Sequence, residues 1–99
     1  MSAGDEPYRI SLLGNVPAEI RRLAGVAASL GKKQAYLDAW LDIEKRISSA
    51  PSGFGELRFN LLKGELHFHV GAVRPVVVNF AFHEKERVVF VLEIFLLES

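Results

Sequence analysis

The stretch "GELHFHVGAVRPVVVNF", residues 64–80, decides the fold. Leu66, Phe68 and Val70 alternate with His67 and His69, the period of two that marks a strand with unlike faces. Gly71 reads as the start of a turn spanning 71–74. Pro75 biases Arg74 toward an extended backbone as the chain enters the next strand. There Val76, Val78, Phe80 and Phe82 alternate with Val77, Asn79, Ala81 and His83. The stretch is therefore a hairpin. Its reading turns on whether His67, His69 and Arg74 form a site or the wet side of a sheet.

The same period extends on both sides. Leu57, Phe59 and Leu61 alternate with Glu56, Arg58 and Asn60, and Lys63-Gly64 supplies a tight turn into the hairpin. "HEKER" (83–87) makes the next turn, and Val88 to Leu97 is a final strand, apolar at nearly every position. Three hairpin connections make an antiparallel meander. Upstream, the period lengthens to about 3.6. Ile20, Leu23, Ala24, Ala27 and Leu30 form one helical stripe behind Pro17, which a first helical turn tolerates. Gly31 is placed to end that helix left-handed. Tyr36, Ala39, Trp40, Ile43 and Ile47 form a second stripe, stopped by "SSAPSGFG" (48–55). Residues 8–14, "YRISLLG", read as a short first strand. The fold class predicted is α+β: a short N-terminal strand, then an antiparallel helical hairpin packed on one face of the meander.

Ninety-nine residues make a single domain, 1–99. With no cysteine, neither a disulfide framework nor a thiolate metal site is possible. The first ten residues are acidic and lack the apolar run of a signal peptide. "VVFVLEIFLL" is broken by Glu93 and too short to span a bilayer as a helix, so no membrane partner is expected and the default location is cytoplasmic. Twelve basic side chains balance twelve acidic ones, and neither half has the excess that phosphate binding favours.

With turns at 63–64, 71–74 and 84–86 and no bulges, Asn60 faces His67 and His67 faces Asn79; the next row holds Arg58, His69, Val77 and Glu93. That map puts Arg58, Asn60, His67, His69, Asn79 and Glu93 together, opposite a helix-covered face of Leu57, Phe59, Phe68, Val78 and Phe80. It predicts a shallow polar groove in which arginines grip phosphates and histidines stack on bases or move protons. The competing reading is the ordinary wet face of an antiparallel sheet, and the residue pattern alone favours it. A metal centre is disfavoured, since His67 and His69 lack an assured third ligand. No cofactor is implied. Trp40 is in phase with the core stripe.

The order of elements, together with Leu62-Lys63-Gly64, Val70-Gly71 and Arg74 leading into "PVVVNF", resembles the RelE/ParE superfamily of bacterial type II toxin–antitoxin toxins. The likeness spans nearly the whole chain on short motifs. It implies a toxin that inhibits translation by cutting mRNA on the ribosome, or acts on DNA gyrase, and is neutralised by a cognate antitoxin. As an endoribonuclease its catalytic group would be Lys63, His69 and Arg74, with Arg58, Asn60, His67 and Asn79 binding RNA. This chain departs from the cleaving members: His69 stands where an arginine is usual before the valine-glycine pair, and "EIFLLES" ends without tyrosine, histidine or a basic residue. These departures favour the gyrase branch or a catalytically inactive protein-interaction module. On the last strand Val89, Val91, Phe95 and Leu97 are expected to point away from the helices. Such an apolar surface calls for cover by an antitoxin segment or a homodimer.

Overall fold

The computed structural model describes residues 6–97, so the ends of the acidic N-terminal stretch and of "EIFLLES" lie outside the described residues. The order is β1 (Arg9–Leu12), α1 (Val16–Ser29), α2 (Lys33–Ser49), a 3₁₀ turn (Pro51–Gly53), then β2 (Glu56–Leu61), β3 (Leu66–Val73), β4 (Val76–His83) and β5 (Val88–Leu96). Five strands form one sheet in the order β1-β5-β4-β3-β2. The last four are an antiparallel meander, as the turns predict. β1 joins the outer edge of β5 in parallel, Arg9 beside Val88 and Leu12 beside Val91, so the sheet is mixed. The helical pair carries the chain from β1 to β2 at the opposite edge, and the meander returns it to β5, so the connection between the two parallel neighbours is far longer than the minimum they require.

Both helices pack on one face of that sheet. Pro17 lies in the first turn of α1, and Gly31, at φ 71°, closes the helical pair. Leu23 and Ala27 of α1 and Tyr36, Ala39, Trp40, Ile43 and Ile47 of α2 meet Val76, Val78, Phe80 and Phe82 of β4 and Val89, Val91 and Ile94 of β5. Trp40 is therefore a core residue. Tyr36 is wholly buried, and its hydroxyl donates to the Ile20 carbonyl at 2.7 Å, tying α2 to α1. Burial, with Glu19 nearby, pushes the Tyr36 phenol above the ordinary tyrosine range. Burial also raises the Glu44 carboxyl.

The register departs from the sequence map between β3 and β4. Gly71 does not turn the chain; β3 continues through it to Val73, and the connection shrinks to Arg74-Pro75, joined by a cis peptide. His67 now faces Phe82 and His69 faces Phe80, not Asn79 and Val77. The slip is three residues, an odd number, so the inward and outward sets of β3 exchange relative to β4. The cause lies at Gly71. The Phe54 ring lies against its α-carbon so closely that an added Cβ would sit 2.5 Å from Phe54 Cε2. A strand glycine commonly marks such a close approach.

Two bulges complete the departure. One falls at Arg58, between the pairs Leu57–His69 and Phe59–Phe68; the other falls on β5, where Asn79 faces Glu93 but Phe80 faces Val91. Each adds a residue and switches the parity of the strand beyond it. Val89 and Val91 thereby join the core under the helices, correcting the outward position expected of them, whereas Phe95 does face outward and is 44% exposed.

The Tyr36 hydroxyl yields a stability test. Tyr36→Phe leaves the Ile20 carbonyl without its donor and is expected to cost about 1 kcal/mol near neutral pH. Because the folded-state pKa is raised, the tyrosine's stabilisation is complete below the unfolded value and is lost as pH climbs through the folded one. Denaturant unfolding from pH 7 to above about 10 should show the wild type losing stability faster than Tyr36→Phe. Parallel curves would contradict this.

Candidate functional site

The residues singled out in the sequence divide among four places. Lys63 lies in the β2–β3 turn with φ 58°, next to Leu62 and Gly64, which are also left-handed. Arg74 lies in the β3–β4 turn. These turns close opposite ends of β3, whose seven steps from Leu66 to Val73 span roughly 23 Å. Lys63 and Arg74 therefore do not meet. His69 lies between them along the strand but points to the helix side.

His69 is built in as a structural residue. It is 7% exposed, and its ring packs against Phe80 and Phe82 at centroid distances of 5.5 and 5.0 Å. Its Nδ1–H donates to the Phe54 carbonyl at 2.9 Å. A carbonyl only accepts, so this bond fixes the tautomer with the proton on Nδ1. Phe54 in turn stacks on Phe80 at 5.8 Å, with the Arg46 guanidinium 5.8 Å above its ring centroid. The link from the helices into the sheet is thus held by a ring on Gly71 and a hydrogen bond to His69.

His67 shares that face at its rim. Its Nδ1 lies 2.7 Å from Asn60 Oδ1, its Nε2 lies 3.3 Å from Glu84 Oε1, and its ring rests on Phe82 at 5.0 Å. The predicted Asn60–His67 pairing is present. The His67 ring nitrogens thus face Asn60 and Glu84 on the helix side of the sheet. His83 looks to the other face, where its Nε2 stands 3.6 Å from Glu65 and its Nδ1 accepts the Glu86 backbone N–H at 3.1 Å. Among the described residues no group of three histidine, aspartate or glutamate side chains could hold a metal ion.

The face away from the helices is apolar at Phe95 of β5, as the sequence predicts, and also over β2 and β3, where the sequence map places polar residues. Its pairs are Phe59–Phe68, Leu61–Leu66, Val70–Asn79, Ala81–Phe90 and Val77–Phe95. Phe59 stacks on Phe68 at 4.5 Å and remains 52% exposed. Polar groups lie at the ends of this face, where Glu56 faces Val70 and His83 stands beside Glu65, and at its centre. Asn79 Nδ2 donates to Glu93 Oε1 at 2.9 Å, and Arg58 reaches the same region from its bulge. A cleft of about 620 Å³ runs between them, bordered by Phe59, Phe68, Val70 and Leu92, and it touches His69 and Phe80, whose rings pack together on the helix side. Asn79, Arg58 and Glu93 are thus together as expected, but Asn60, His67 and His69 are on the opposite side. The predicted polar groove is instead an apolar cleft with one cation and one anion at its margins.

Such a surface suits association with another apolar surface. Acid–base chemistry requires groups within hydrogen-bond reach of one reacting atom, and Lys63, His69 and Arg74 do not share such a point. Among the described residues no helix is long and apolar enough to cross a membrane.

Two substitutions examine the Phe54–His69–Gly71 contact. His69→Phe keeps the ring volume but strands the buried Phe54 carbonyl, an expected loss of about 1–3 kcal/mol. Gly71→Ala forces its methyl into the Phe54 ring, an expected loss of about 1–3 kcal/mol, and adding Phe54→Leu should recover part of it. Thermal unfolding reads both, and unchanged midpoints would contradict the packing described. The chain matches no family model, no curated protein and no solved structure.

Proposed function

We propose that this chain is a small α+β association module of RelE/ParE-like layout, acting through the open face of its sheet and without cutting RNA. The observation that carries the reading is the placement of Lys63 and Arg74 at opposite ends of β3, with His69 buried and bonded to Phe54 between them. Cleavage of RNA needs a base on the ribose hydroxyl, an acid at the leaving oxygen and donors on the phosphate, all converging within about 3 Å of the reacting atoms. Here the cations lie roughly 23 Å apart along the strand. His67, at the rim, turns its ring nitrogens toward Asn60 and Glu84.

The apolar sheet face supports the positive half of the proposal. Single exposed apolar residues are ordinary, but a contiguous apolar surface with a sparse polar margin is the pattern of an interaction site. The toxin–antitoxin setting suggested by the resemblance then takes its binding form. Growth arrest would come from capture of a target such as DNA gyrase or a ribosomal component, and an antitoxin would act by competing for the captured surface.

The test is induction of the chain without any partner in a bacterial host, with growth and mRNA integrity followed together. Intact mRNA is expected whether or not growth stops, and Lys63→Ala and Arg74→Ala should leave the growth phenotype unchanged. Ribosome-dependent cleavage by the pure protein, abolished by Arg74→Ala, would overturn the reading.

A further inference from the structure

Resting on that reading of the open sheet face, we infer that, until a target or antitoxin displaces it, the face is covered by the same face of a second copy of this chain. Phe59, Phe68, Phe90 and Phe95 spread apolar surface over β2, β3 and β5, while both helices lie on the other side. The four strands β2 to β5, about 4.8 Å apart and about eight residues long, give roughly 500 Å² in projection, so two copies face to face cover about 1,000 Å². That reaches the lower bound of about 1,000 Å² for a specific interface even before side-chain relief is counted.

The charges make the face self-complementary. Arg58 on β2 and Glu93 on β5 border the central cleft, with β3 and β4 between those strands. A two-fold axis lying between two such sheets and running along β3 and β4 sets β2 of one copy over β5 of the other. Arg58 then meets the partner's Glu93, and Glu93 meets the partner's Arg58, as a two-fold interface requires. Stacked sheets pack about 10 Å apart with their strands within about 30° of each other, which this axis allows. Edge-to-edge pairing is the poorer route. β2 is exposed along its length, but its bulge at Arg58 breaks the ladder that an added strand would follow, and β1 has only four residues.

Sedimentation equilibrium of the full chain tests the inference. A dimer is expected at micromolar concentrations, and Phe95→Glu should give a folded monomer, its fold checked by circular dichroism. Arg58→Glu alone and Glu93→Arg alone each bring like charges together and should weaken the dimer about tenfold or more, whereas the double exchange should restore it to within a few-fold of wild type. A wild type that stays monomeric at about 500 μM, well above the dissociation constants of specific dimers, would overturn the inference. It would leave association with a different polypeptide, such as an antitoxin, as the use of the face. Failure of the double exchange to rescue would overturn the two-fold arrangement. RNA cleavage by a confirmed dimer would instead sink the functional reading and leave the interface standing.

Discussion

The contact between the Phe54 ring and Gly71, closed by the His69 Nδ1–H on the Phe54 carbonyl, governs the rest of the molecule. It occupies the space in which a side chain on β3 would otherwise sit and holds Gly71 in the strand. With Gly71 extended, the hairpin closes at Arg74-Pro75, and that closure decides which side chains of β3 face the helices. Two histidines are consumed in the process. His69 becomes an aromatic core residue with one satisfied nitrogen, and His67 becomes a rim residue bridging Asn60 and Glu84.

The consequence is a sheet that is apolar on both sides. The helices satisfy one side, where Val78, Phe80, Phe82, Val89 and Val91 are fully buried or nearly so. The other side keeps Phe59 stacked on Phe68 and leaves Phe95 partly open to water. Hydrophobic surface of that extent is costly to leave wet, at about 25 cal/mol for each Å². A protein built this way is better adapted to hold another apolar surface than to hold and cleave a polyanion, and its balanced net charge agrees.

Much of the architecture was legible in the sequence because it depends on periodicity. The stripes from Ile20 to Leu30 and from Tyr36 to Ile47 mark the helices, Pro17 and Gly31 lie at helix ends, and Lys63-Gly64 and the last four residues of "HEKER" lie in turns. Trp40 in the core is a product of the same stripe. The parallel partner of β1 was not legible, since a short strand carries no signal of which edge it joins. The site was misplaced for a sharper reason. Counting by twos survives only while no residue is inserted, and the bulges at Arg58 and Leu92 and the late turn at Arg74-Pro75 each reset the count. Gly71 was ambiguous by itself: glycine serves a turn and a crowded strand equally well, and the ring that crowds it comes from Phe54, seventeen positions earlier.

A proton Overhauser map of the hairpin in solution tests this account most directly. The register described here predicts cross-peaks from the His69 ring to Phe80 and Phe82, cross-strand contacts of His67 with Phe82, and none of His67 with Asn79. Contacts placing His67 opposite Asn79, with His69 beside Val77 and Glu93, would return the histidines to the open face and contradict the account.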